Sequence, residues 1–274
     1  MAESEQGAFK PRPKHLLPVV LGLVATGILA YPISKTGALP AQVTPFTGTS
    51  VTEASLNALI FVLALGASAT AMFLLIRRGR MGFIRRMIKG ALILVSFAVV
   101  FWYSASLLSI DVSFLLALSI GGAALIGFTV FGKGRARQLF GVTVLSALTG
   151  VFLGNSIPLI TAIVLVGALV VYDIVAVFKG PVGALAKTVG TGDLPGAMYS
   201  YGDLTIGMGD LVFYSLVATT AMVNFNIWSF LGAAVGILAG TYLGFRALSR
   251  YEMFPGLPFS LLLGVAGMLL PVWL

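Results

Sequence analysis

Nine stretches of this chain are apolar over about the 20 residues that a helix needs to cross a hydrocarbon core of about 30 Å. They cover about 15–33, 54–76, 87–109, 112–131, 138–154, 157–178, 205–224, 226–245 and 257–274 of the 274 residues. Some breaks are short, as at Asn224–Asn226, and Asp111 and Asn155 carry side chains suited to caps and tight turns. Composition decides whether such runs are buried cores or membrane spans. The chain has 17 basic and 9 acidic residues, so only 9% of it is charged, where soluble domains have roughly a quarter. That is too little to cover a water-facing surface, which excludes soluble, disordered and collagen-like chains. The predicted fold class is all-α, a polytopic membrane protein with nine transmembrane helices.

Orientation follows from the placement of Lys and Arg. If each run crosses once, Lys10, Arg12, Lys14, Arg77, Arg78, Arg80, Arg85, Arg86 and Lys89 share one side with Lys133, Arg135, Arg137, Lys179, Lys187, Arg246 and Arg250. Only Lys35 falls on the other. The positive-inside rule then puts the N-terminus in the cytoplasm and the C-terminus outside. The first run has the basic start of a signal peptide, but residues 28–40 form no clean small-residue cleavage site, so an uncleaved anchor is expected. The chain divides into helices 1–6 with the N-terminal tail (1–178), a cytoplasmic loop (179–204) and helices 7–9 (205–274).

The net charge of +8 is therefore topological and calls for anionic headgroups of a lipid bilayer, not nucleic acid. Cysteine is absent, which removes thiol chemistry and cysteine metal sites. The single histidine, His15, reads as a solvated flank of the first run, and with no second histidine a zinc centre is excluded. No metal and no cofactor are expected.

Most acidic residues fall in tails and loops. Two do not: Asp173 in LVVYDIVAVF and Asp210 in GMGDLVFYSLVATTAMV, with no Lys or Arg in either run. An intramembrane carboxylate lacking a basic partner is costly and marks a functional site. Asp173 lies five residues before Phe178, where run six ends, and Asp210 five after Thr205, where run seven begins. Helical rise then places both about 7–8 Å inside the same boundary. Two such acids on adjacent antiparallel helices suit a dyad with one member protonated, because close negative charges disfavour each other. Position alone leaves catalysis and an ion or proton path equally open.

Local motifs separate these readings. Gly-x-Gly-Asp occurs at Gly190–Asp193, in a polar loop, and at Gly207–Asp210, opening an apolar run. Only the second puts its Asp in the membrane. Together with Tyr172-Asp173 on run six and Pro255-Gly256-Leu257-Pro258 opening run nine, it resembles the presenilin and signal-peptide-peptidase family of intramembrane aspartyl proteases. That family carries Tyr-Asp, Gly-x-Gly-Asp and Pro-Ala-Leu on its sixth, seventh and ninth spans. The resemblance covers all nine runs, departs at Gly256, where the family usually has Ala, and includes a loop too short to carry self-cleavage over. The cytoplasmic N-terminus and compact loops look most like the archaeal presenilin homologues.

The resemblance implies hydrolysis of peptide bonds in or near the transmembrane segments of single-span substrates. Asp173 and Asp210 would be catalytic, one acting as general base on a shared water and the other as general acid. Tyr172, Gly207, Gly209, Pro255, Gly256, Leu257 and Pro258 would shape the site. Leu204, Thr205 and Ile206, with the proline segment, would offer backbone groups to an extended substrate by strand addition. The prolines could equally begin a helix at its first turn. Activity without obligate subunits is expected in a cell membrane, with the site towards the cytoplasm and the oligomeric state left open. The competing classes are a cation or proton channel or transporter, and a prepilin-peptidase-like membrane protease.

Overall fold

Helices dominate the chain, and their ends follow from local chemistry. The computed structural model describes residues 12–178, 196, 198–201, 204–248 and 255–273. A 3-10 turn, Pro13–Leu16, leads into α1 (Leu17–Thr36), α2 (Val51–Arg77), α3 (Met81–Leu107), α4 (Val112–Val130), α5 (Arg135–Ser156) and α6 (Leu159–Phe178). Two strands follow, β1 (Met198–Tyr201) and β2 (Leu204–Gly207), then α7 (Met208–Asn224), α8 (Ile227–Leu248) and α9 (Leu257–Trp273). Gly37 closes α1 with φ 61°, a left-handed conformation that costs only glycine little. The Ser50 hydroxyl caps α2 by accepting from Glu53 N at 3.2 Å. Asp111 Oδ1 caps α4 by accepting from Ser113 N at 2.8 Å, a bond that holds its carboxyl below the usual range.

Seven of the described helices, α1–α6 and α8, are long and apolar enough to cross a membrane. α7 and α9, at 17 residues each, fall at the lower end of the spanning range. Large apolar side chains cover the outside: Ile28, Phe128 and Val235 are each more than 60% exposed. Such a surface needs lipid around it, and the chain is an integral membrane protein.

α7 is the central helix. Eleven of its 17 residues are buried, the all-round burial of a helix enclosed by others. Small residues bring its neighbours close: a methyl on Gly150 or Gly154 of α5 would strike the α7 backbone at Leu216 and the side chains of Ser215 or Thr219. From α1, Thr26 Oγ1 lies 2.8 Å from Ser215 Oγ. Buried hydroxyls in lipid-embedded helices find partners on adjacent helices in this way.

The α8–α9 pair is packed backbone to backbone. Gly232, Gly236 and Gly240 recur every four residues on α8, facing the carbonyls of Gly267, Leu263 and Phe259 on α9, and a methyl at any of the three would collide with those carbonyls. This small-residue seam fixes α9 against α8. In contrast, α2 is buried only near its start, at Ala54, Asn57 and Ala58. There Asn57 clamps the preceding loop, accepting from Phe46 N at 3.1 Å and donating to Phe46 O at 2.8 Å.

Four expectations are corrected. The fold class stays all-α, but the seventh run does not begin as helix, because β1 and β2 form an antiparallel hairpin with Tyr199 opposite Ile206 and Tyr201 opposite Leu204. The aromatic and β-branched residues favour strand, and a Gly-Asp pair separates the two segments in the sequence. Residues 205–207 are therefore strand, α7 starts at Met208, and helical rise from Thr205 does not measure the depth of Asp210. Asn155 lies inside α5, where its amide donates to Ala38 O at 3.3 Å; the break falls at Ile157-Pro158 instead, because a residue before proline leaves the helical region. His15 is buried at 2% exposure, not solvated, and Arg12 N donates to its Nδ1 at 3.2 Å. The duplicate motif Gly190–Asp193 lies outside the described residues.

Candidate active site

Asp173 sits in the final two turns of α6 and Asp210 is the third residue of α7. Both are partly buried, and they are close enough to interact electrostatically. The hairpin delivers Asp210. β2 ends at Gly207, which is the N-cap of α7 with extended backbone (φ −73°, ψ 137°). Its N–H donates back to the Asp210 carboxylate, as in the acidic half of a capping box. Space at Gly207 is tight: a methyl there would stand 3.4 Å from Asp210 Oδ2. Gly209 is exposed, with open space where a side chain would be.

Asp173 is held by a different helix end. Leu257 is the first residue of α9, so its N–H has no partner within that helix. It donates to Asp173 Oδ2 at 3.0 Å. Pro258 follows inside the first turn, where a missing N–H costs nothing. The Leu257 N–H is thus committed to the dyad and is not open to a substrate. Pro255 and Pro258 are both buried, and a methyl on Gly256 would lie 3.9 Å from Asp210 Oδ2. One dipeptide, Gly256-Leu257, thus bonds Asp173 through Leu257 and lines the Asp210 cavity through Gly256.

Beside Asp210 is a cavity of about 160 Å³ whose wall includes Thr205, Ile206, Tyr214, Thr241 and Gly256. It mixes a carboxylate and hydroxyls with apolar side chains. A larger groove of about 770 Å³ runs between α8 and α9, from Asn226 to Pro271, but its lining has no acid or base. Of the two, only the smaller is lined by a carboxylate. Of the sequence-predicted residues, Asp173, Asp210, Gly207, Gly256 and Leu257 converge here, Thr205 and Ile206 line the cavity, and Leu204 contributes backbone to β2. Tyr172 lies against α2, where a methyl on Gly66 would sit 3.8 Å from its ring, and it is close enough to Asp173 to interact electrostatically. Among the described residues no cluster of three potential ligands could hold a metal.

Sequence reasoning missed Tyr214, Ser260 and Thr241. Tyr214 is four residues after Asp210, and Ser260 four after Gly256. That spacing puts each on the same helical face as the motif residue, a signal available in the sequence.

Fold and site together define a polytopic helical membrane protein with a paired-carboxylate centre. Its backbone is similar to a presenilin family intramembrane aspartate protease solved in two crystal forms. The C222 form is 22% identical, with a TM-score of 0.66, covering 94% of this chain and 96% of that one. The P2 form is 22% identical, with a TM-score of 0.67, covering 97% and 99%. No protein-family model and no curated protein matches the chain. The chain has the presenilin fold.

Proposed function

We propose that the chain is an intramembrane aspartyl protease that hydrolyses peptide bonds in or near the transmembrane segments of single-span proteins. The observation that carries this reading is the Gly256-Leu257 dipeptide, bonded to Asp173 through Leu257 N–H and sharing a cavity wall with Asp210 through Gly256. An ion path needs the acids but not a helix N-terminus locked onto one of them. Asp173 and Asp210 share a water: one takes its proton as it attacks the scissile carbonyl, and the other protonates the leaving nitrogen. The fold similarity supports nine spans, and the charge bias supports a cytoplasmic N-terminus, an extracytoplasmic C-terminus and a site opening towards the cytoplasm of the cell membrane.

A helical substrate hides its scissile bonds and must unwind, which is tolerated at membrane depth only where protein or water satisfies the backbone. β2 supports strand addition, since a two-stranded sheet leaves one edge of each strand outward and Thr205 and Ile206 border the Asp210 cavity. A photo-cross-linker at Thr205 is expected to capture a single-span substrate near its cut site. Capture at 121 on α4 but none at 205 removes strand addition.

Gly256 is the chain's departure from Pro-Ala-Leu. An alanine methyl there would make ordinary contact at 3.9 Å from Asp210 Oδ2, so Gly256→Ala is expected to keep kcat/KM within about threefold. The whole reading is tested with purified protein, a single-span substrate and a transition-state aspartyl-protease inhibitor. Cleavage that the inhibitor blocks supports it, and cleavage insensitive to the inhibitor removes the aspartyl mechanism.

A further inference from the structure

Three hydroxyls meet beneath the dyad, one from each of α7, α8 and α9. Tyr214 is 4% exposed, Thr241 4% and Ser260 fully buried. Ser260 Oγ and Tyr214 Oη lie 3.0 Å apart. Ser260 Oγ also lies 3.1 Å from Gly256 O and 3.0 Å from Leu257 O. A hydroxyl has one proton and two acceptor sites, so Ser260 either donates to Tyr214 Oη or donates to one of those carbonyls and accepts from Tyr214. Thr241 also lies within hydrogen-bond reach of Tyr214, and its single proton goes either to Tyr214 Oη or to Ile237 O at 2.8 Å.

The carbonyls that Ser260 reaches belong to the dipeptide that bonds Asp173 and lines the Asp210 cavity. Gly256 stands against Asp210, and Leu257 N donates to Asp173. Tyr214 is one turn beyond Asp210 on α7, so a bond from its hydroxyl fixes α9 at the level of that carboxylate. A chain of contacts thus runs from the Asp210 helix through Tyr214 and Ser260 to Gly256-Leu257, and from there to Asp173. A serine bonded to the carbonyl four residues back is common in this bundle, as in Ser119 to Leu115 and Ser96 to Leu92. Ser260 differs in reaching a tyrosine on another helix, at a buried place where water cannot replace the partner.

We propose that Tyr214 and Ser260 are positioning residues for the two carboxylates: their hydroxyl pair locks the Gly256-Leu257 segment against α7 and so sets the separation of Asp173 from Asp210. Ser260 stands outside the Asp210 cavity that Tyr214 helps to line, and the pair acts through the segment it holds. The role rests on the protease reading above. A displaced dyad slows the chemical step, because reacting groups misplaced by about 1 Å lose about a hundredfold in rate. Substrate docking along β2 does not depend on the pair, so KM is left alone.

The test compares Tyr214→Phe, Ser260→Ala, the double variant and Ser260→Thr with wild type. All are purified in detergent, with active sites counted by titration with a tight-binding transition-state inhibitor. Each single removal is expected to lower kcat per titrated site about tenfold with KM within about twofold. The double variant should be no worse than the poorer single, because either loss breaks the same link. Ser260→Thr, which keeps a hydroxyl, should recover most of the rate. A role confined to stability moves the number of titratable sites and the melting temperature but not kcat per site, and that result overturns the proposal. Losses that multiply in the double variant also overturn it. If Tyr214→Phe does not fold, the contrast between Ser260→Ala and Ser260→Thr decides. A wild-type protein that cleaves nothing overturns the protease reading and this inference with it; cleavage with unaltered variants overturns this inference alone.

Discussion

Asp173→Ala and Asp210→Ala should each abolish cleavage of a single-span substrate, by at least about a thousandfold in kcat, while the protein still inserts and folds. General acid–base groups contribute about 10² to 10⁴ each, and paired groups act as a unit, so either loss removes nearly all of the effect. The asparagine variants sharpen this. Asp173→Asn keeps an amide oxygen able to accept from Leu257 N, now 3.0 Å from the carboxylate, yet it has no proton to exchange. Cleavage should be lost just as fully. Stability should move the other way: a carboxylate without a basic partner is costly in a membrane, so Asp210→Asn should melt no lower than wild type. Thermal unfolding in detergent, run beside the cleavage assay, separates lost chemistry from lost structure.

The second large effect lies in the glycine seam. Gly236→Val should destabilise the protein by about 3 kcal/mol or more, at or beyond the upper end for overpacking a core. The reason is that its first side-chain carbon would collide with the Leu263 carbonyl, backbone against backbone, where no rotamer change gives relief. Only separation of α8 from α9 can accommodate it. α9 begins at Leu257, so the same displacement pulls the N–H away from Asp173 and should remove activity in whatever fraction still folds. Gly121→Val on α4, where a side chain meets open space, is the control and should leave both properties unchanged apart from a small helix-propensity effect. Thermal melting with residual cleavage at permissive temperature checks both variants.

Hydrophobic length and the scarcity of charge made the helical bundle legible, because a bilayer forces long apolar runs whatever the topology. The two acids were legible for the same reason: Asp173 and Asp210 stand out against a background with almost no charge. The hairpin was not. Leu204, Thr205 and Ile206 continue the apolar run of α7, and hydropathy cannot distinguish an extended apolar segment from a helical one. Asn155 and His15 misled in a related way. A polar residue beside an apolar run suggests a turn or an exposed flank, but each has a hydrogen-bond partner that makes burial or helix interior acceptable. Tyr214 and Ser260 look like ordinary packing residues in sequence. Their meaning depends on α7 meeting α9, a tertiary fact that the spacing of either helix alone does not contain.

The central claim is that Asp173 and Asp210 cut peptide bonds and do not simply line a path for ions. Wild-type protein reconstituted into liposomes with a single-span substrate and a pH-sensitive dye measures both activities in one preparation. The account predicts peptide products, identified by mass spectrometry as cuts within or beside the substrate's span, that disappear in Asp173→Ala and in Asp210→Ala. Intact substrate, together with a proton or cation flux that those two substitutions abolish, would contradict it.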